Sequence, residues 1–218
     1  MTIQALLSDS ISTIVLIVVA LAIVIIFMAV KRYKENVVPK RKLESNNYDR
    51  SIKIVKKIVE RYVRRNDGRT IYSIEVGSNK TKGSVDVILI GYFGVLVIVT
   101  NDLRGDLYAN DRDLTLTQIV KTERRSHENP IIKSKTAAKA VIELLREKRV
   151  FKVPVESCVV FTGKKAGINV PGTLGGYSTK EFAAVLKTSK FLDDKNVDVD
   201  LTANVILGMG GKPTKKPR

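Results

Sequence analysis

Residues 84–105 read SVDVILIGYFGVLVIVTNDLRG. Two runs within them, 84–90 and 93–99, are rich in Val and Ile and are separated by Gly91 and Tyr92. β-Branched side chains suit the pleated surface of a strand, and a short break between two such runs signals a hairpin. The spacing therefore predicts a hairpin feeding the centre of a sheet.

Upstream, residues 70–76 alternate weakly and read as a further strand. Before them, Ile52, Val55, Ile58, Val59, Tyr62 and Val63 recur at helical spacing, with Lys53, Lys56, Lys57, Arg61 and Arg64 between. That pattern predicts an amphipathic helix over 51–65 with a basic outer face, ended by Asn66-Asp67-Gly68. Downstream, 107–109 and 114–120 read as strands around a turn at 110–113. Pro130 opens a helix reaching about Lys148, since proline suits the first helical position. Residues 155–161 are another strand, and a cap at Ser178 or Thr179 with Glu181 starts a short helix over 179–187. The order predicts an α+β or α/β domain, one mixed sheet flanked by helices.

The chain has 218 residues, 44% of them hydrophobic, ample for a core. Its net charge of +16 is unevenly spread. Residues 1–30 contain no Lys or Arg, and Asp9 is their one acid. Residues 11–30, ISTIVLIVVALAIVIIFMAV, carry no charge, Gly or Pro. As a helix they would cover roughly 30 Å, the thickness of a bilayer's hydrocarbon core. No basic residues precede the run and no small-residue cleavage pattern follows, so it reads as a retained transmembrane helix rather than a signal peptide. Lys31, Arg32, Lys34, Lys40, Arg41 and Lys42 follow the span. Positive residues stay on the cytoplasmic side, which places the N-terminus (1–10) outside and the domain in the cytoplasm. Residues 31–47 read as a basic juxtamembrane linker, 48–208 as the folded domain and 209–218 as a basic flexible tail. The six cations of the linker are also membrane-surface candidates.

One cysteine, Cys158, excludes an internal disulfide, and one histidine excludes Cys/His zinc sites. Cys158 alternates into a strand and reads as a small buried hydrophobe. His127 has no nucleophile near it in sequence. Gly208-Met209-Gly210-Gly211-Lys212 lacks phosphate-loop spacing, and residues 163–167 read as a surface turn. A domain this basic attracts polyanions: nucleic acid, anionic lipid or both.

Three stretches carry a resemblance. The first is Ser84-Val85-Asp86-Val87 followed by 94–101 (GVLVIVTN) and Arg104-Gly105; the second is Glu128-Asn129-Pro130-Ile131-Ile132-Lys133; the third is Val153-Pro154-Val155 with 158–161 (CVVF). In order and spacing these resemble the nuclease-related domain (NERD) family over about 48–163. A single-pass anchor before the domain is a familiar arrangement there. The resemblance implies a PD-(D/E)XK, restriction-endonuclease-like fold. Its chemistry rests on an Asp on one strand, a Glu-x-Lys on the next and a Gln in an Asn-Pro-x-x-Gln helix opening. Two carboxylates bind Mg²⁺, which polarises a phosphodiester and acidifies a water.

This sequence departs from that pattern. Asp86 matches the first acid, but Val99 stands at the Glu position, Asn101 at the Lys position and Lys133 at the Gln position. A lone carboxylate holds Mg²⁺ poorly. Asp102, Asp106 and Glu75 are the acids that an active alternative would recruit beside Asp86. The expectation is a membrane-anchored domain without metal-dependent cleavage, needing no cofactor, that binds nucleic acid or a protein partner. Arg104, Lys133, Lys135, Asn101 and Asn129 are the phosphate-facing candidates. The alternatives are an active nuclease, using Asp86 and a relocated acid with Mg²⁺ or Mn²⁺, and a membrane structural protein with no ligand.

Overall fold

A computed structural model describes residues 40–208, except 78–80, 111, 165 and 172–174, together with residues 24 and 26; for 40–47 it describes the backbone only. The predicted membrane span, the residues before it, Lys31, Arg32, Lys34 and the tail over 209–218 lie outside the described residues, apart from positions 24 and 26. Among the described residues no helix is long and apolar enough to cross a membrane. The chain divides into two compact units, Met1–Glu44 and Ser45–Arg218. Apart from residues 40–44 at the start of the first helix, everything that follows belongs to the second.

From residue 40 onward, α1 (Lys40–Asn66) leads into β1 (Arg69–Gly77), β2 (Lys82–Gly91) and β3 (Gly94–Asn101). A second group of strands follows: β4 (Gly105–Tyr108), β5 (Thr115–Val120) and β6 (Glu123–Glu128). Helix α2 (Pro130–Glu147) leads to β7 (Val155–Phe161), then β8 (Ala166–Asn169) and β9 (Gly176–Ser178). Three short helices close the domain, α3 (Thr179–Val185), α4 (Ser189–Leu192) and α5 (Val199–Leu207).

The predicted hairpin is the centre of a five-stranded sheet ordered β1-β2-β3-β7-β9. β2 pairs antiparallel with β3 from Val87↔Ile98 to Gly91↔Gly94, and β3 runs parallel to β7 through the α2 crossover. Alternation along these strands feeds two cores. Ile88, Ile90, Val95 and Val97 pack under α2 and α5 with Val141, Leu144 and Ile206. Val87, Leu89, Leu96 and Ile98 pack on the other face with Val55, Val59 and Tyr62 of α1 and with Phe182 and Phe191. The basic face of α1 is where its periodicity puts it, with Lys53, Lys56, Lys57, Arg61 and Arg64 exposed.

Two expectations are corrected. The helix begins at Lys40 rather than Ser51, so it runs through much of the stretch read as an aperiodic linker, including Lys40, Arg41 and Lys42. The strands also form two sheets instead of one. The second, ordered β6-β5-β4-β8, shares a third core with β3, α2 and β7, built from Val99, Leu107, Leu116, Ile131, Val159 and Phe161. Its outer strand β6 is Glu-Arg-Arg-Ser-His-Glu, exposed at five of six positions. A strand with no buried face has no apolar alternation to read.

Gly105 makes the passage between the sheets. Its φ is +81°, and a Cβ there would stand 2.3 Å from the Ile119 carbonyl oxygen. Both the left-handed backbone and the close approach demand glycine. Gly105→Ala should therefore lose on the order of 3 kcal/mol, from strain plus steric displacement of β5. Thermal melting checks it, and an unshifted midpoint would refute the close approach.

Candidate functional site

The site predicted from sequence centres on Asp86, and a bend in β2 decides where that side chain goes. Val85 and Val87 are two residues apart, yet they reach opposite cores. On β1, Ile71 and Ile74 are three apart and reach the same core. Regular strands do neither, because the side-chain period is two. Ser73, between these β1 positions, has a φ of +48°, in the left-handed region. The shared irregularity turns Asp86, one residue beyond the β2–β3 ladder, toward the α1 side of the sheet.

There the carboxylate is 1% exposed and accepts three hydrogen bonds. The Thr100 amide donates to Oδ2 at 2.6 Å and the Thr100 hydroxyl donates to the same oxygen at 2.9 Å. The Tyr48 hydroxyl donates to Oδ1. Burial, and next its bond to Asp86, pushes the Tyr48 phenol well above the ordinary tyrosine range, so it stays protonated as a donor.

Val99 and Asn101 do not meet Asp86. Val99 is 2% exposed and packs in the third core. The Asn101 Oδ1 accepts from the Leu103 amide at 2.9 Å, and its carbonyl accepts from the Thr162 amide at 2.7 Å. Asn101 thus shapes the exit of β3. Nor do the other acids gather: Glu75 is exposed and pairs across from Ser84, and Asp106 is exposed on β4. Among the described residues no group of three His, Cys, Asp or Glu side chains is placed to hold a metal ion. The donor set does not suit Mg²⁺, because Asp86 is engaged by neutral donors on both oxygens, has no second acid beside it, and Val99 belongs to the core.

Beside this network, at the C-terminal ends of the parallel strands β3 and β7, lies a shallow recess. Arg50, Arg104 and Lys164 line it, with Asp102, Ser51 and Thr162 among them. The Ser51 and Thr162 hydroxyls lie 2.6 Å apart in a hydrogen bond, tying α1 to the end of β7. Gln118 donates to the Arg104 carbonyl at 2.7 Å, and its own amide oxygen lies 2.7 Å from His127 Nε2. His127 is thereby a positioning group for the Arg104 backbone. The crevice outside the carboxyl ends of parallel strands is where open α/β sheets receive ligands.

Of the phosphate-facing candidates, only Arg104 lines this recess. Lys133 is half-buried and Lys135 exposed on α2. Asn129, another of those candidates, is fully buried. Its Oδ1 accepts from the Ile131 amide at 3.0 Å, and its Nδ2 donates to the carbonyls of Asn110 and Asp113 at 2.8 and 2.7 Å. Every polar atom of the side chain is spent on capping α2 and holding the β4–β5 turn. Asn129→Ala should cost about 2 kcal/mol of stability through the lost cap and two orphaned carbonyls. It should leave oligonucleotide affinity unchanged, and melting and anisotropy measured together check both halves.

A family model described as nuclease-related domain matches residues 50–162, just over half the chain. The chain belongs to the NERD family. No match was found among curated proteins or among solved structures. Membership accounts for the hairpin, the helix opened by Asn129-Pro130 and the strand β7, all inside the matched residues. Tyr48, which completes the Asp86 network, precedes them. Sequence reasoning missed Tyr48, Thr100, Arg50 and Lys164. Only Thr100 and Lys164 had a signal: one lies between the two motif positions, the other in a basic loop read as a surface turn. Cys158 is 2% exposed, and burial pushes its thiol up, away from reactivity.

Proposed function

We propose that this protein is a NERD domain that binds nucleic acid without cutting it, held at a membrane by residues 11–30. Its N-terminus would lie outside and the domain in the cytoplasm. One observation carries the reading: Asp86 is buried and hydrogen-bonded on both oxygens by Thr100 and Tyr48, while Val99 belongs to the core. Metal-dependent cleavage needs at least two acidic oxygens free for one cation. The strong positive charge supports a polyanionic partner. Arg50, Arg104 and Lys164 are the phosphate contacts in this reading, and the wider basic surface adds affinity without base specificity. The juxtamembrane cations Lys31, Arg32, Lys34, Lys40, Arg41 and Lys42 would face the lipid surface.

The test uses the full chain in neutral-lipid nanodiscs with labelled duplex DNA and single-stranded RNA. Binding should weaken steeply with salt, and neither Mg²⁺ nor Mn²⁺ should produce cleavage. Each of Arg50→Ala, Arg104→Ala and Lys164→Ala should reduce the slope of log affinity against log salt by about 0.7 to 0.9, the increment for one phosphate contact. Metal-dependent cleavage by the wild type, lost on Asp86→Asn, would establish the active alternative instead. Absence of both binding and cleavage would leave a membrane structural protein.

A further inference from the structure

The loop joining α2 to β7 reads Lys148-Arg149-Val150-Phe151-Lys152-Val153-Pro154. Phe151 is 65% exposed, an unusual state for a phenylalanine flanked by ordered structure. The loop does not simply let it hang. The Val150 amide donates to the Leu145 carbonyl at 2.8 Å, and the Pro154 carbonyl accepts from the Val95 amide at 2.8 Å. Between these two anchors the backbone turns through Arg149 at φ +58° and Lys152 at φ +65°. Two non-glycine residues in the left-handed region carry a cost, and what they achieve here is to keep the ring outside.

Phe151 borders a recess of about 260 Å³ that it does not fill, with walls from Ile142, Leu145, Val150, Val153 and Val155. Arg146, from the last turn of α2, and Lys152 line the recess, and Lys148 and Arg149 are exposed in the same short stretch, with Glu147 at the end of α2 as the acid among them. None of the four forms an ion pair with a described residue. A protruding ring beside a recess of mixed polar and aliphatic lining, with four cations close by in sequence, is complementary to a molecule with acyl chains and an anionic head. Nucleobases fit less well: stacking needs a succession of ring faces, and the walls here are aliphatic.

We propose that the α2–β7 loop is a docking site for anionic phospholipid, with Phe151 entering the interface, an acyl chain against the Ile142–Val153 walls and the head group among Arg146, Lys148, Arg149 and Lys152. The site is independent of the Arg50–Arg104–Lys164 recess and of the nucleic-acid reading. It would lay this face of the domain onto a bilayer. The cations supply about 1 kcal/mol each near an anionic surface, and the ring adds its apolar area.

The test exploits the buried, unreactive Cys158. A Phe151→Cys variant of the full chain takes an environment-sensitive NBD label at the loop alone. The labelled protein is reconstituted in phosphatidylcholine nanodiscs with and without phosphatidylglycerol. The emission should shift to the blue and be quenched by spin-labelled acyl chains only when phosphatidylglycerol is present. Adding Lys148→Ala, Arg149→Ala and Lys152→Ala should reduce the inserted population on the order of a hundredfold. A label at Leu114→Cys, 77% exposed in the turn before β5, should stay water-like throughout. Equal shifts at both labels would mean an unspecific collapse of a basic domain onto lipid and would refute the site. Water-like emission at residue 151 in both discs refutes it too, as does a shift produced by single-stranded RNA and not by lipid.

Discussion

Val99→Glu should destabilise the domain by on the order of 4 kcal/mol or more, lowering the melting midpoint by roughly 10 °C. In the proposed reading the substitution puts back the second acid of the nuclease motif. In this chain Val99 packs against Leu107, Leu116, Ile131 and Phe161, a core without a cation or spare donor to receive a carboxylate. The group must lose its hydration or its charge, and its extra volume displaces close-packed neighbours. Val99→Thr, nearly the same shape, should cost much less and separates packing from charge. Adding Asn101→Lys should restore neither stability nor cleavage, because residue 101 serves the exit of β3. A Val99→Glu protein that melts like the wild type and cuts DNA with Mg²⁺ would sink the account of this site.

Asp86→Ala should lose about 3 kcal/mol, since it strands the buried Thr100 amide and hydroxyl and removes the acceptor of the Tyr48 hydroxyl. The sign matters as much as the size. In a metal site emptied of its cation, carboxylates repel one another, and removing one relieves strain. Here the carboxylate is the hub of a donor set, and removing it costs stability. Tyr48→Phe should lose about 1 kcal/mol, and a double-mutant cycle between positions 48 and 86 should show coupling. Unchanged melting of Asp86→Ala would mean that its charge is not held by these donors. The same result governs how the cleavage assay is read, because a variant at position 86 must first be shown to be folded.

Much of this molecule is legible from local pattern. The β2–β3 hairpin, the apolar stripe of α1, Asn129-Pro130 opening α2 and the Ser178–Glu181 capping box of α3 all announce themselves through period or cap chemistry. The elements that escaped share a cause. β6 buries no face, and β8 and β9, of four and three residues, are too short for a period to develop. The first turns of α1 carry no apolar stripe, so nothing in their pattern separates them from a linker. Two sheets were read as one because the break at Gly105 depends on an approach to Ile119, fourteen residues later in the chain.

The functional site divides along the same line. By itself the sequence determined the identities at positions 99, 101 and 133, and the proposed reading of Asp86 as an acid without motif partners rests on them. It also determined the charge that favours polyanions. What became of Asp86 was decided by the tertiary structure. A left-handed Ser73 on one strand and a reversal of faces on the next turned the carboxylate to Thr100 and to Tyr48, thirty-eight residues away. Local propensity holds no information about such a meeting, because no residue near Asp86 in sequence supplies Tyr48. Arg50, Arg104 and Lys164 converge for the same reason: the first half of α1, the exit of β3 and the turn after β7 come together only when the sheet has formed.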